Sequence, residues 1–256
     1  MTKYVWFYDT DYRNDREEVL KKVKTLDYPV IVKPATTGSS VGISVCEDEA
    51  SLIEGIDDAI QYDSKILVEE VVENLKEVNI AVMGNYENQK VSEIEEVLSG
   101  NKFLTYADKY IGNGKGKLKG AKAPVKTTSK GMASANRKLP ADLDKKLREE
   151  VEEVATKAFK ALGSSGNSRI DFLIDDKAKK VYINEINSIP GSLAFYLWDA
   201  KDIDFTKLLD DMINIGIKDY KKRISKTHSF ETNILQGFAA NNGVKGMKGM
   251  KGKLNK

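Results

Sequence analysis

Short apolar runs alternate with longer amphipathic segments along this chain, and that rhythm predicts most of its elements. "KYVWFYD" has the pattern of a short strand, and "RNDREEVLKKVKTLD" sets Val19, Leu20 and Val23 on one helical face. A buried strand is predicted over residues 29–33, then a Gly/Ser loop, then a second short strand, "GISVC". Asp48 is placed to N-cap "EASLIEGIDDAIQ", whose Leu52, Ile53, Ile56 and Ile60 face a core. "KILVEEVV" is a further β-branched strand. "KEVNIAVMGN" and "QKVSEIEEVL" pair as antiparallel neighbours, with Gly84-Asn85 ending the first. Residues 112–130 hold Gly, Lys, Ala and Thr without period, the pattern of a mobile loop, and loops this long are usually functional or disordered. Pro140 stands where a helix start tolerates it, and a helix from there to Gly163 takes its stripe from Leu143, Leu147, Val151, Val154, Ala158 and Leu162. Two strands, "SRIDFLID" and "KVYINEIN", and a helix around residues 205–218 complete the series.

Composition narrows the class. The 256 residues are 41% hydrophobic and 31% charged, which suits a globular protein of one large domain or two intimate subdomains. Forty-one basic against 39 acidic side chains leave a net charge of +2, no global reason to expect nucleic acid or a membrane. No window approaches the roughly 18 apolar residues of a membrane span, and the N-terminus lacks the apolar region of a signal peptide. Cys46 is the only cysteine and His228 the only histidine, which excludes intrachain disulfides and most His- or Cys-based metal sites. A reducing cytoplasm fits this usage. Glycines at 243, 246, 249 and 252 punctuate a basic tail, read as flexible.

Candidate chemistry gathers where two strands meet. Arg169 and Asp171 share one strand face, as do Glu185 and Asn187. A hairpin turn centred on Ala178 sets Asp171 opposite Glu185 and Arg169 opposite Asn187. Like charges directly opposite on a sheet repel, so something must neutralise the two carboxylates. Spacing alone leaves two readings: a hard divalent cation on two carboxylates and an amide oxygen, or Arg169 bridging the carboxylates as an ordinary ion pair. The following "SIPGS", a turn that re-aims the chain, favours the first.

Lys33 raises a similar choice, ending a buried strand just before "TTGSSVG". It is either a snorkelling lysine or a phosphate ligand beside a loop whose Gly38, Gly42, Ser39 and Ser40 supply backbone N–H groups and hydroxyls. The loop lacks the Gly-Lys-Ser/Thr ending of a P-loop. Glu69 and Glu70 interrupt an apolar run, either on a solvated face or beside a strand edge that pairs with an adenine, with Glu77 near ribose hydroxyls. Lys109 and Tyr110 precede the aperiodic loop.

Taken together, "VIVKPATTGSSVGISV", "ILVEEVVENLKEVNIAVMGN", "LTYADKY", "SRIDFLID" and "VYINEINSIPGS" resemble D-alanine–D-alanine ligases of the ATP-grasp superfamily in order and spacing, from about residue 4 to about residue 220. The resemblance implies an α+β ATP-grasp fold of two subdomains clasping nucleotide between antiparallel sheets. Residues 1–72 would form the small subdomain, 73–222 the large one with the Mg²⁺ and nucleotide site, and 223–256 a C-terminal segment ending in the Gly/Lys tail. It implies ATP and D-alanine as substrates and two Mg²⁺ ions, replaceable by Mn²⁺, on Asp171, Glu185 and Asn187. Lys33 and Lys109 would hold phosphates; Glu69, the backbone near Val72, and Glu77 would bind adenine and ribose. Arg169 would stabilise the oxyanion, with Ser39 over the first amino acid and Tyr110 beside the substrate. Residues 112–130 would order over bound ligands.

Two departures from the family pattern bear on function. Family members begin with a further N-terminal domain, and this chain starts where that domain should end. The position where members commonly place a serine for the second substrate's carboxylate aligns with Tyr196, in "GSLAFYLW", with Ser192 nearby as a substitute. The expected activity is therefore ATP-dependent ligation of two D-alanines. The alternatives are a nucleotide-holding fragment of such a ligase and a ligase with another acceptor.

Overall fold

The structure, a computed structural model, describes residues 1–38, 41–98 and 137–227. The loop expected at 112–130 and the Gly/Lys tail lie outside the described residues. Packing divides the chain into a compact unit, Met1–Ile215, and a second from Gly216 onward.

Among the described residues of the first unit, strands form two antiparallel sheets. The smaller contains β1 (Tyr4–Tyr8), β2 (Val30–Pro34), β3 (Ser44–Cys46) and β4 (Lys65–Glu70) in the order β1-β4-β2-β3. Alternation decides its faces. Phe7, Val30, Val32, Ile66 and Val68 are buried in one core with Val19, Leu20 and Val23 of α2 (Arg16–Val23) and Leu52 and Ile56 of α3 (Glu49–Ala59). Ile31, Lys33, Leu67 and Glu69 alternate with these residues and take the opposite face. Asp48 caps α3 as expected, accepting from the Ser51 N–H at 2.8 Å while Ser51 Oγ accepts from the Asp48 N–H at 3.1 Å. The single helix expected over "RNDREEVLKKVKTLD" is instead two, α1 (Asp9–Asn14) and α2. Asp15 lies between them in a non-helical conformation and accepts from the Glu18 N–H, so a cap residue interrupts the run.

The larger sheet contains β5 (Leu75–Gly84), β6 (Gln89–Val97), β7 (Arg137–Lys138), β8 (Gly166–Asp175) and β9 (Lys180–Asn187) in the order β7-β6-β5-β8-β9. The expected β5–β6 pair is present, and its turn needs Gly84: φ is +148°, and a Cβ there would sit 2.0 Å from the Asn88 carbonyl oxygen. Val78, Ile80, Val82, Ile94, Ile170, Phe172 and Ile174 form the core under α4 (Lys145–Ala161). The other face buries Ala81 and Met83 against Leu197 and Trp198 of α5 (Phe195–Asp199) and Leu208 of α6 (Phe205–Ile224).

Helix α4 corrects the sequence reading in two ways. It begins at Lys145 with Asp144 as N-cap, not at Pro140, because the Asp144 side chain takes the Leu147 N–H at 2.9 Å. Its buried stripe is Leu147, Val151, Ala155 and Phe159; Leu143, Val154 and Ala158 pack half-buried against the same core as expected, whereas Leu162 is 66% exposed. The helix ends at Ala161, and Gly163 follows with φ +62°, the usual left-handed stop. The described part of the second unit is the end of α6, whose last turn carries Lys221, Lys222 and Arg223.

This packing gives a direct test. Phe159→Ala should lower unfolding free energy by about 3–5 kcal/mol in urea titrations, whereas Leu162→Ala should change it by about 0.5 kcal/mol or less. Equal losses would contradict the assigned stripe.

Candidate functional site

One row of polar residues crosses the face of the larger sheet that does not meet α4. Glu95 of β6 pairs with Asn79 of β5, Asn79 with Asp171 of β8, and Asp171 with Glu185 of β9. Arg169 pairs with Asn187 one step along, as expected, and Glu77 stands two residues from Asn79 on the same strand face. Strand alternation thus sends Val78, Ile80 and Ile170 to the core and this series of polar side chains to the opposite side.

The β8–β9 register has a feature that sequence reasoning missed. Near the turn, Asp175 pairs with Lys180 and Phe172 with Ile183, which centres the hairpin between Lys177 and Ala178. Asn184 is then an extra residue, and the register shifts so that Asp171 meets Glu185. Asn184 itself reaches the smaller sheet: its Oδ1 accepts from Lys33 Nζ at 3.2 Å. Lys33 also donates to Glu69 Oε2 at 3.1 Å, and Thr2 Oγ1 donates to the same oxygen at 3.0 Å. Glu69 is therefore buried and bonded rather than solvated. Its neighbour Glu70 is half-buried against Lys3 at 3.0 Å. The bulge, Lys33 and Glu69 form one continuous network across the two sheets.

Both carboxylates of the hairpin have partners. Arg169 grips Asp171 with Nε to Oδ1 at 2.6 Å and Nη2 to Oδ2 at 2.7 Å. The Asn187 amide donates to Asp171 Oδ2 and to Glu185 Oε1, each at 3.2 Å. Burial, aided by the facing Glu185, pushes the Asp171 carboxyl above its ordinary range although Arg169 pulls it down. Burial pulls on the Arg169 guanidinium, but the Asp171 pair outweighs it and holds its pKa up. Among the described residues no group of three or more His, Cys, Asp or Glu could hold a metal. The donor set here is two carboxylates plus an amide oxygen, which suits a hard cation that completes its shell with water and phosphate. Asn187 would have to turn its oxygen inward to join that set.

The flanking loop is anchored for close approach. Asp63 accepts from the Thr36 N–H at 2.6 Å and from Thr36 Oγ1 at 2.8 Å. Gly42 has φ +70°, and a Cβ there would lie 2.6 Å from the Tyr62 ring. Ser39, Lys109 and Tyr110 lie outside the described residues. Val72 is buried in the connection between β4 and β5. Cys46 is buried in the smaller core, where burial pushes its thiol up to about 11, so it is no reactive thiol.

Beyond the hairpin the chain turns through Ser192, Leu193 and Ala194, all with φ near +50°. Asn167 holds this strained stretch, donating to the Leu193 carbonyl at 2.7 Å and accepting from Trp198 Nε1 at 3.1 Å. The turn delivers Tyr196 to the sheet, where its hydroxyl donates to Glu95 Oε1 at 2.7 Å.

Comparison with known proteins decides the family. A family described as D-ala D-ala ligase C-terminus matches residues 1–214. The chain belongs to that family. A D-alanine–D-alanine ligase of Thermosipho melanesiensis is 40% identical over 230 residues, covering 89% of this chain and 57% of that protein. Among solved structures, the VanG D-Ala:D-Ser ligase of Enterococcus faecalis superposes with a TM-score of 0.65 at 26% identity, covering 84% of this chain and 56% of its own. The D-alanine–D-alanine ligase of Helicobacter pylori gives 0.57 at 28% identity with the same coverages. The fold is α+β and ATP-grasp, as the resemblance implied. The chain spans slightly more than half the length of these relatives.

The Tyr196 contact is testable without any ligand. Tyr196→Phe removes one donor from the fully buried Glu95 and should cost about 1–3 kcal/mol of stability in denaturant titrations. An unchanged midpoint would show that the hydroxyl bond adds nothing.

Proposed function

We propose that this chain is the nucleotide-binding and catalytic part of an ATP-dependent carboxylate–amine ligase that joins two D-alanines for a peptidoglycan precursor. The observation that carries the reading is the Lys33–Asn184 bond, because Asn184 adjoins Glu185. A lysine suited to phosphates is thereby bonded to the neighbour of a carboxylate suited to a cation. The family match and the 40% identical ligase support it. Residues 1–72 would act as the small subdomain and 73–222 as the large one, consistent with two separate hydrophobic cores. The cytoplasm is the compartment where ATP and D-alanine would meet.

In this reading Lys33, with Lys109, holds the nucleotide phosphates. Glu69, bonded to Lys33, would take adenine and ribose together with the backbone near Val72 and Glu77. Asp171, Glu185 and Asn187 would hold two Mg²⁺, with Mn²⁺ as a substitute. Bound there, the cation would neutralise phosphate charge during transfer. The γ-phosphoryl of ATP passes to the carboxylate of one D-alanine, and the amine of the second displaces phosphate. Arg169, fixed beside Asp171, faces the negative charge that develops on the attacked carbonyl oxygen. Ser39 and Tyr110 would position the first amino acid. Residues 112–130 would cover the ligands and exclude water.

A second reading rests on length. In it the chain, which matches 57% of the Thermosipho relative, holds nucleotide but does not complete the ligation by itself. Phosphate release from ATP that depends on D-alanine supports the first form; its absence, with nucleotide bound, supports the second.

Calorimetry tests the shared core of both. Mg-ADP should bind wild type, and Glu185→Gln should weaken it at least about tenfold, or ~1.4 kcal/mol. Undiminished affinity would overturn the metal assignment. Asn184→Ala should also weaken Mg-ADP, by about 0.5–1.5 kcal/mol, the usual net value of one hydrogen bond. The same affinity in both proteins would remove Asn184 from the site.

A further inference from the structure

Glu95 is fully buried, yet three side chains converge on it from separate elements. Asn79 Nδ2 donates to Oε1 at 2.9 Å, and Tyr196 OH donates to the same oxygen at 2.7 Å. Arg137 Nη1 donates to both carboxylate oxygens, at 3.1 and 3.0 Å, and to Tyr196 OH at 2.6 Å. The guanidinium carbon also lies 5.4 Å from the centre of the Tyr196 ring.

This is an unusual way to use an arginine. A guanidinium offers five N–H groups in a planar fork that matches a carboxylate with two parallel bonds. Arg169 uses its fork in that way on Asp171. Arg137 does not, since all its hydrogen bonds to described residues leave from one terminal nitrogen. Its Nε is buried without a hydrogen-bond partner, while the side chain as a whole stays 23% exposed. A guanidinium clamped at one corner, with no bond from Nε or Nη2 to a described residue, has donors left for a further acceptor.

Its place in the sheet says where that acceptor would be. Glu95 begins the row that continues through Asn79 to Asp171 and Glu185. Tyr196 and Glu95 both lie close enough to Arg169 for their charges to act on it. Two guanidiniums thus flank one region, one beside the reacting carboxylate and one beyond Tyr196.

We propose that Arg137, fixed by Glu95 and Tyr196, recognises the free carboxylate of the acceptor amino acid. The inference rests on the ligase reading and adds its acceptor determinant. A purely structural Arg137, present only to neutralise Glu95, is the competing role, and ligand chemistry separates the two.

The probes are D-alanyl-D-alanine and its C-terminal amide, titrated by NMR against the full chain saturated with Mg-ADP. The dipeptide keeps only the acceptor's carboxylate, so the pair isolates that group. Wild type should prefer the free carboxylate by about tenfold or more, as expected for a charge-assisted hydrogen bond. Arg137→Gln should abolish the preference and Arg137→Lys should keep part of it. Arg137→Gln leaves Glu95 buried without its cation, so Arg137→Gln/Glu95→Gln is measured alongside and should lose the preference too. A preference that survives in either Gln variant, or none in wild type, overturns the proposal. Failure of wild type to bind Mg-ADP at all would instead strike the nucleotide reading.

Discussion

The site depends on one extra residue in one strand. Side chains alternate along β9, so its register against β8 decides which of them meet the core. Carrying the pairing from the turn onward unbroken, with Asn184 opposite Asp171, would set Ile186 opposite Arg169 among the polar side chains. Glu185 and Asn187 would then point at the core that holds Ile170 and Phe172. Bulging Asn184 out of the ladder gives the favourable arrangement, with Ile186 packed against the apolar core and Asp171 facing Glu185. It also leaves the Asn184 side chain unpaired within the ladder and able to receive Lys33. A local irregularity therefore creates the carboxylate pair and connects it to the opposite sheet.

Facing carboxylates are costly unless compensated, and the compensation shapes what the site can accept. Arg169 and the Asn187 amide already satisfy Asp171, while Glu185 stays exposed with one amide bond. A cation would find Glu185 open, but it would share Asp171 with a guanidinium and require Asn187 to turn over. Phosphate oxygens arriving with the cation would lessen that conflict, since they bring negative charge toward Arg169 and Lys33. Metal and nucleotide should thus favour each other's binding, because each offsets charge that the other leaves exposed.

Much of this was legible in the sequence, and the gaps have physical causes. Alternation located the strands, and the two-residue spacing of Arg169 and Asp171 and of Glu185 and Asn187 gave the shared face. The facing pairs were expected from a turn centred on Ala178. The turn is centred half a residue earlier, and the bulge supplies the difference, so Asn184 itself could not be foreseen. Helix α4 has apolar residues on more than one side, which let Leu162 pass for core while Ala155 and Phe159 went unnoticed. Arg137 was invisible for another reason. Its importance comes from Glu95 and Tyr196, 42 and 59 residues away, and no local pattern joins them.

The two sheets make different demands on their lysine and arginines. Lys33 is a compact charge on a flexible stem, and Glu69 with Asn184 restricts it before any phosphate arrives. Ordering that side chain in advance reduces the entropy lost on binding, at the cost of exchanging an existing ion pair for a new one. Arg169 and Arg137 are planar, and each is fixed against a buried or half-buried carboxylate on the larger sheet. Their geometry is set by the sheet, whereas Lys33 depends on contact between sheets. Any motion that separates the sheets would break the Lys33–Asn184 bond first and leave Lys33 on Glu69 and both arginines in place. In the proposed reading, phosphate binding at Lys33 would therefore depend on the contact between the sheets, and carboxylate recognition by the arginines would not.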